Sequence, residues 1–302
     1  MKVLLTGLGD IAAKAYLPAL AATPGLDIHL ATRNPHTLRD LGQRYRLSGL
    51  HASVHDALAA SRFDAAFVHA ATSAHRPLAE LLLRSDVPVF VDKPLADSFE
   101  QTAELVGIAQ QRGRLLAVGF NRRYAPDYVA LLRRPRDLLL MQKHRREQPD
   151  EPRRTVFDDF IHVIDTLQFL APDAFHRTTI ETVMRDGLLQ SVTLMLAGNG
   201  HHAVGTMHRA SGLDEERLDA LGGGEKHSVL NLSERVCQRD GGEERARRGD
   251  WIPVARQRGF EAMCADFLQA VRDDRPTAAD DILETHRLCE AIVAHADASN
   301  AG

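Results

Sequence analysis

The stretch "LLTGLGDIAA" at residues 4–13 decides the fold of this chain. An apolar run ends here, and three small residues follow with the spacing G-x-G-x-x-A: Gly7, Gly9 and Ala12. In a dinucleotide-binding turn, the first glycine permits the tight turn and the second lets the backbone approach a pyrophosphate, while the third small residue keeps the helix close to the sheet. A glycine turn that binds nothing is the alternative for this motif taken alone. Its position ahead of a full set of further β and α segments favours dinucleotide binding.

The first 120 residues alternate short apolar runs with helical patterns, as parallel βαβ units do. The candidate strands are residues 3–5, 28–31, a weak one near Leu50, 65–69, 89–91 and 115–118. Asn34, Ser53 and Ser98 are candidate N-caps of the helices that follow. We therefore predict an α/β fold whose N-terminal Rossmann domain, a doubly wound parallel sheet, covers residues 1–121.

The pattern changes after "GFNRRYAP" at residues 119–126. A strand-like "DLLLMQKHR" is followed by "FDDFIHVIDTLQFL", in which apolar residues recur at helical spacing. Alternating segments joined by glycine-rich turns then run from about 175 to 255, and helical patterns return from Phe260 onward. We predict that residues 122–302 form an α+β domain with an open, mostly antiparallel sheet and C-terminal helices.

Composition excludes several classes of protein. The formal net charge of -4 argues against a general nucleic-acid binder, and no run approaches the roughly 20 apolar residues of a membrane span. The apolar run of the opening "MKVLL" is too short for a secretory signal. Cys237, Cys264 and Cys289 lie far apart in the sequence, so neither a disulfide framework nor a thiolate metal site is predicted. These features favour a cytoplasmic protein without a metal.

The choice of cofactor depends on "LATRNPHTL" at residues 30–38, where an NAD enzyme would carry an acid that binds the ribose hydroxyls. No carboxylate occurs before Asp40. Arg33 can pair with a 2′-phosphate, and Thr32 and Asn34 can supply uncharged hydrogen bonds. An arginine that merely faces solvent is the alternative. We predict that NADP(H) is preferred and that NAD(H) is possible.

Two other segments carry residues suited to chemistry. "VFVDKPLA" at residues 89–96 places Lys93 directly after a buried strand, at the edge of the sheet where α/β proteins bind ligands. Asp158 and His162 stand four apart in a helical pattern, where the carboxylate can hold the tautomer of a general acid or base. The alternatives are an exposed lysine at a strand end, a helical ion pair on the surface, and a metal site that lacks a third ligand.

Taken together, these segments resemble the glucose-fructose oxidoreductase, inositol dehydrogenase and rhizopine-catabolism family (Gfo/Idh/MocA). The resemblance rests on "GLGDIA", "ATSAH" at 71–75, "DKP" at 92–94 and "DDFIHVID" at 158–165. "VDKPLA", "GFNRRYAP" and "QRGFEAM" further resemble its MviM-like subgroup of oxidoreductases. Two residues depart from the family pattern: Asp92 replaces a glutamate, and Ser73 replaces a proline.

The resemblance implies a role for each matching residue. Lys93 would lie beside the nicotinamide and touch the reacting oxygen, His162 would exchange the substrate proton, and Asp158 would orient His162. The implied cofactor-binding residues are Gly7, Gly9, Asp10, Ile11, Ala12, Thr32, Arg33, Asn34, Ala71, Thr72, His75, Asp92, Lys93 and Asn121. The implied substrate-binding residues are Lys93, Arg122, Arg123, Asp158 and His162, of which the arginines suit a hydroxyl-rich or anionic substrate.

The function predicted from these residues is an NADP(H)-dependent oxidoreductase. It would interconvert a hydroxyl and a carbonyl on a small-molecule substrate, namely a sugar, a sugar derivative or a polyol. A non-catalytic dinucleotide-binding regulator of the same fold is the alternative, although it would not need Lys93, Asp158 and His162 together. "SVTLML" at 191–196 and "HAVGTM" at 202–207 carry apolar residues of both parities, which predicts a homodimer or homotetramer formed through the C-terminal sheet.

Overall fold

The computed structural model describes residues 1–300, which fold into two compact units. The first unit contains Met1–Phe120 and Phe260–Leu283. The second contains Asn121–Gly259 and the described residues from Glu284 onward. None of the described helices is both long enough and apolar enough to cross a membrane.

The first unit is built on a six-stranded sheet in which all neighbouring strands are parallel. Its strands are β1 (Lys2–Thr6), β2 (Asp27–Ala31), β3 (Gly49–His51), β4 (Ala65–Val68), β5 (Val89–Asp92) and β6 (Leu116–Gly119). They are arranged in the order β3-β2-β1-β4-β5-β6. Strands β1 to β3 are thus added toward one edge of the sheet and β4 to β6 toward the other, so the strand order reverses between β1 and β4. This arrangement confirms the predicted Rossmann fold, whose ligands bind at the carboxyl ends of the strands.

Helices connect these strands. A π-helical turn (Ala12–Tyr16) leads into α1 (Leu17–Ala21), and later crossovers contain α2 (Pro35–Tyr45), α3 (Val54–Ala60), α4 (Thr72–Arg84) and α5 (Phe99–Arg112). The predicted N-caps are confirmed, because the side chains of Asn34, Ser53 and Ser98 accept hydrogen bonds from backbone amides in the first turns of α2, α3 and α5.

One late segment returns to the first unit. Helix α10 (Phe260–Arg272) packs its aromatic side chains against the Rossmann sheet. Phe267 contacts Phe67 and Phe90 edge-on, and Phe260 contacts Tyr16 in the same manner. All residues from 122 to 302 were predicted to belong to the second domain, whereas the structure places Phe260–Leu283 with the first unit. The apolar face of α10 is buried on the β4–β5 aromatic surface, which explains this difference.

The second unit contains an eight-stranded sheet, open at both edges, in the order β14-β13-β12-β11-β7-β10-β9-β8. Its strands are β7 (Leu138–His144), β8 (Phe175–Arg185), β9 (Leu188–Gly198), β10 (His202–His208), β11 (Glu215–Gly222), β12 (Glu225–Leu230), β13 (Glu234–Arg239) and β14 (Gly242–Arg247). Every neighbouring pair is antiparallel except β7 and β10, which are parallel. The prediction of a mostly antiparallel sheet is confirmed.

Helices cover one face of this sheet. The second unit contains a 3₁₀ turn (Asn121–Tyr124), α6 (Pro126–Leu131), α7 (Pro152–Thr155), a second π-helical turn (Val156–Phe160), α8 (Ile161–Leu170), α9 (Val254–Gln257) and most of α11 (Ala279–Asn300). Helix α8 lies directly on β10, because a Cβ atom at Gly205 would lie 2.5 Å from Val163 Cγ1 and 3.0 Å from Leu167 Cδ1. The predicted helix over "FDDFIHVIDTLQFL" is therefore present, with a π-helical first part.

Candidate dinucleotide groove and charged cluster

The glycine turn after β1 has two glycines with different constraints. Gly7 has φ +77°, and a Cβ atom there would lie 2.1 Å from the backbone nitrogen of Ala70. Only glycine fits both this conformation and this close approach to the segment after β4. Gly9 is the opposite case, since a Cβ atom there would meet no atom within 4 Å. The space beside Gly9 is therefore open to a ligand, as the second glycine of a pyrophosphate-binding turn requires.

A groove of about 750 Å³ opens at this turn, along the carboxyl ends of the central strands. The residues predicted to bind the cofactor that line it are Gly7, Gly9, Thr32, Arg33, Asn34 and Ala71. The groove is also lined by residues that were not predicted to bind the cofactor, among them Ser53, His55, His69 and Ser73. The glycine turn, the end of β2 and the start of α4 thus converge on one concave surface, as in a dinucleotide site.

The end of β2 presents a cation to this groove. Arg33 is exposed, and within residues 1–300 it has no ion-pair partner. Asn34 Oδ1 accepts hydrogen bonds from the backbone amides of His36 and Thr37, so this side chain serves mainly as the N-cap of α2. Asp40, the nearest following carboxylate, lies 3.1 Å from His36 on α2. Arg33 is therefore the side chain at this tip that is available to a charged ligand.

Other predicted cofactor residues lie beside the groove or support its walls. Asp10 is exposed and forms an ion pair with Lys14 at 2.7 Å, Ile11 is exposed, and Ala12 is buried against the sheet. Thr72 begins α4. The buried ring of His75 has Nδ1 2.7 Å from the carbonyl oxygen of Pro94 and Nε2 2.8 Å from that of Ala70. His75 thus joins the loop after β4 to the loop that carries Lys93.

Beneath the groove lies an aromatic stack that sequence reasoning missed. The ring of His69 stacks on Tyr16 with centroids 3.9 Å apart, and within the described residues neither ring nitrogen has a hydrogen-bond partner. Burial lowers the pKa of His69 to about 3, so its ring is neutral. The Tyr16 hydroxyl donates to Asp92 Oδ1 at 2.9 Å, and burial raises the pKa of Asp92. The only sequence signal for this stack was a histidine at the end of an apolar strand.

Lys93 directly follows β5, half-buried, and its peptide bond to Pro94 is cis. This is the position that the sequence predicted, at the carboxyl edge of the Rossmann sheet. Gly119 on the neighbouring strand β6 keeps the space around Asp92 clear, because a Cβ atom there would lie 2.8 Å from Asp92 Oδ1. The strand ends of β5 and β6 therefore fix the backbone from which Lys93 extends.

In the second unit, the acidic residues around His162 differ in their surroundings. Asp158 lies on the π-helical turn and His162 in the first turn of α8, and both are half-buried. Asp159 is held by three cations, and Asp165 is buried and accepts hydrogen bonds from Arg123 at 2.8–2.9 Å. The two flanking carboxylates are thus used in ion pairs that also fix the helix in place.

The residues after β6 are bound into the second unit. Arg122 is buried and forms a two-point ion pair with Glu216, at 2.8 Å from Nε and 2.5 Å from Nη2, while the Tyr128 hydroxyl donates to the same carboxylate at 3.0 Å. Asn121 is also buried, and its amide donates to the carbonyl oxygen of Arg258 at 2.7 Å. The sequence predicted cofactor contact for Asn121 and substrate contact for Arg122 and Arg123, and the structure gives all three side chains partners within this unit.

A charged cluster lies on the helix-covered face of the second sheet. Asp159 accepts from Lys143 Nζ at 2.7 Å, from Arg145 Nε at 2.7 Å and from Arg209 Nη1 at 2.8 Å. Burial would raise the pKa of Asp159, but the charges of Lys143 and Arg145 lower it far below its usual range. Burial would likewise raise the pKa of Glu216, but the charge and hydrogen bonds of Arg122 outweigh this effect and lower it to about 2. Both carboxylates are therefore charged at neutral pH.

Lys143 is the most deeply buried cation of this cluster. Burial, with the nearby charge of Arg122, lowers its pKa to about 7. The sequence analysis did not name Lys143, although a signal existed: it alternates with Leu139 and Met141, which lie on the buried face of β7. Within residues 1–300, no group of three or more His, Cys, Asp or Glu side chains could hold a metal ion.

Comparison with known proteins identifies a family for each of the two parts of the chain. Residues 1–120 match the family described as "Oxidoreductase family, NAD-binding Rossmann fold", and residues 128–240 match "YceM-like, C-terminal domain". The chain is 33% identical to "Putative oxidoreductase YceM" of Salmonella typhimurium over 97% of each protein. It is also 30% identical to the myo-inositol dehydrogenase Hyg17 of Streptomyces leeuwenhoekii, over 74% of this chain and 70% of that protein.

Solved structures of the same family have the same fold as this chain. A Gfo/Idh/MocA family oxidoreductase from Vibrio cholerae superposes with a TM-score of 0.94, at 33% identity and full coverage of both chains. The MviM dehydrogenase from Clostridium difficile superposes with a TM-score of 0.91 at 28% identity, over 98% of this chain and 99% of that one. The resemblance drawn from the sequence is confirmed: the chain belongs to the Gfo/Idh/MocA family of oxidoreductases, in its MviM- and YceM-like branch.

Proposed function

We propose that this protein is an NADP(H)-dependent oxidoreductase that interconverts a hydroxyl and a carbonyl on a sugar, a sugar derivative or a polyol. The observation that carries the proposal is the groove of about 750 Å³ in the Rossmann unit, where the open space at Gly9 and the cation of Arg33 lie on one surface. A bound nicotinamide cofactor supplies or accepts the hydride. The side chains of this protein position the substrate and manage its proton.

The preference for NADP(H) over NAD(H) is supported by Arg33. A guanidinium pairs well with a 2′-phosphate because its planar donors match the geometry of the phosphate oxygens. The acid that would bond the ribose hydroxyls of NAD is missing from this tip, and Asp40 is engaged with His36 on α2. NAD(H) remains the less favoured cofactor in this proposal.

The proton transfer is assigned to His162, with Asp158 as the residue that orients its ring. Support comes from the family pattern and from position: Asp158 lies on the π-helical turn and His162 in the first turn of α8, and both are half-buried. Lys93 is assigned to the reacting oxygen, where a cation stabilises negative charge as it develops. These three residues are the proposed catalytic set.

The substrate class is proposed from the relatives. One of them is named a myo-inositol dehydrogenase, so a polyol or a sugar with secondary hydroxyl groups is the natural first class to test.

The three cysteines are free, which agrees with a reducing compartment such as the cytoplasm.

A metabolite screen tests this proposal. Purified protein is mixed with NADPH and a library of ketoses, keto-inositols and keto-acids, and with NADP⁺ and the matching alcohols, while absorbance of the reduced cofactor is followed. At least one compound should be turned over. Tight NADPH binding without turnover across the library would instead support the non-catalytic regulator.

A further inference from the structure

The charged cluster on the second sheet contains more cations than carboxylates. Its members are Arg122, Lys143, Arg145, Arg209, Asp159 and Glu216. Three arginines, together with Lys143, whose pKa of about 7 leaves it partly protonated at neutral pH, thus share two carboxylates. Asp214 adds a weaker negative contribution, since its charge acts on Arg145 while its Oδ1 accepts from the backbone amide of Arg146. The three arginines alone outnumber Asp159 and Glu216, the two carboxylates that they contact directly.

The surplus is buried, which makes it costly. Arg122, Lys143 and Arg209 are exposed by only 6%, 3% and 7%. A charge removed from water is stable in a protein when an opposite charge and hydrogen bonds replace its hydration. A clamp between β7, β10, β11 and the π-helical turn could balance its charge with one cation for each carboxylate, as Arg122 provides for Glu216.

The cluster has one member that reaches solvent. The Arg145 side chain is about a quarter exposed, while its fork holds Asp159 at 2.7 and 2.8 Å. Asp159 directly follows Asp158 in the chain, so the cluster adjoins the residue that we propose orients His162. The cluster is therefore anchored on the same π-helical turn, Val156–Phe160, that carries Asp158.

We propose that this cluster binds an oxyanion of the substrate, so that the enzyme acts on an acidic sugar or polyol that bears a carboxylate or a phosphate. That the bound anion is part of the substrate rests on the proposed function; the presence of an anion site does not. Guanidinium groups bind both kinds of oxyanion through paired N–H donors, and Lys143 adds a point charge. The bound oxyanion would balance the surplus positive charge.

Binding to three six-carbon probes tests the inference without turnover. Sorbitol, D-gluconate and sorbitol 6-phosphate are titrated by calorimetry into protein saturated with NADPH or NADH, so that the groove of the first unit is filled. The acidic probe of the correct class should bind at least tenfold more tightly than sorbitol. Whichever acid binds more tightly identifies carboxylate or phosphate as the source. Equal affinity of all three, or no binding of either acid together with no stabilisation by inorganic phosphate, would overturn the inference.

Two variants locate the site. Arg145→Gln should remove the preference for the acidic probe, while Arg146→Gln, which removes the same charge from the next and exposed residue, should keep it. Lys143→Met is the second variant; it removes the buried amine at little change in volume and should also weaken the preference for the acidic probe. Retained binding of the dinucleotide shows that a variant is folded. If Arg145→Gln keeps the full preference, the anion binds elsewhere and the cluster is structural.

The two proposals fail in different ways. Tight binding of an acidic probe without turnover of any compound in the screen would preserve the anion site and remove the oxidoreductase function. Turnover of a neutral polyol, with no gain in affinity from an added carboxylate or phosphate, would support the oxidoreductase function and remove the anion site.

Discussion

Arg33 is the residue on which the choice of cofactor depends. It is exposed at the end of β2, on the surface of the groove. Removing its charge should weaken NADPH binding but leave NADH binding almost unchanged, because only NADPH carries the 2′-phosphate. An aspartate at the same place would repel that phosphate and could bond the ribose hydroxyls of NADH.

We therefore expect Arg33→Asp to reverse the preference from NADPH to NADH. Calorimetric titration of both cofactors into wild type and variant measures it. Arg39→Asp, on the exposed surface of α2, makes the same charge change outside the residues that line the groove and serves as the control. Equal affinity of the wild-type protein for both cofactors would contradict the assignment.

His162 is the second residue with a sharp expectation. If it exchanges the substrate proton, His162→Ala should lower turnover by about 10²- to 10⁴-fold, as loss of a general acid or base does. Cofactor affinity should stay near the wild-type value. Asp158→Asn should keep part of the activity, since an amide can still bond the ring but cannot support its positive charge. Lys93→Ala should lower turnover and also weaken substrate binding.

Steady-state kinetics on the compound found by the screen measure these effects. Asp165→Asn is an unsuitable control because Asp165 is buried against Arg123, so the exposed Asp173→Asn is preferred. A His162→Ala variant that works at the wild-type rate would return the Asp158 and His162 pair to a helical surface pair.

At the scale of secondary-structure elements, both proposed functional segments contain a π-helical turn. Ala12–Tyr16 follows the glycine turn, and Val156–Phe160 carries Asp158 into α8. A π turn admits an extra residue and so changes the direction of the side chains around it, and such turns occur frequently at functional sites. Here the first carries Tyr16, which stacks on His69, and the second carries Asp159, which pairs with Lys143 in the charged cluster.

The glycine turn gives a matched pair of substitutions. Gly9→Ala should fold normally, because its Cβ atom meets nothing within 4 Å, but it should weaken dinucleotide binding at least tenfold by filling the space that a pyrophosphate would occupy. Gly7→Ala should instead lower stability by about 1–3 kcal/mol or more, since φ is +77° and its Cβ atom would clash with Ala70.

Thermal unfolding and cofactor titration separate the two effects. Normal cofactor affinity in Gly9→Ala would show that the dinucleotide does not approach this turn. An unchanged unfolding midpoint in Gly7→Ala would contradict the close approach between the turn and the segment after β4.

At the scale of the whole molecule, the second sheet has a face that carries apolar side chains away from α8. Met195 on β9 is 41% exposed. It is paired in register with Val204 on β10, and Val204 is paired in turn with Leu140 on β7. Val183 on β8 is also exposed. Such a patch on an open sheet is typical of a surface that pairs with another copy of the chain.

We expect the protein to form a homodimer or homotetramer through this face. Light scattering at micromolar concentration should report at least a dimer, and Met195→Glu should shift it toward the monomer. Leu213→Glu, which adds the same charge at an exposed apolar residue outside this sheet, should leave the assembly intact. A monomeric wild type would remove the proposal.

Local patterns in the sequence determined much of this protein. The spacing of Gly7, Gly9 and Ala12, the alternation of short apolar runs with helices, and the capping residues predicted the Rossmann sheet and its strand positions. These features depend on neighbours within a few residues, which is why they are visible without the fold. The position of Lys93 at a strand end and of Asp158 and His162 on one helix followed from the same local periodicity.

Only the tertiary structure decided which charges are partners and where α10 belongs. Arg122 pairs with Glu216, 94 residues away, and Asp159 rather than Asp158 collects Lys143, Arg145 and Arg209. No local period encodes such pairs, since they form where distant strands align in register. Helix α10 returns to the first unit because its phenylalanines complete the aromatic surface of β4 and β5, a surface that exists only once the sheet has formed.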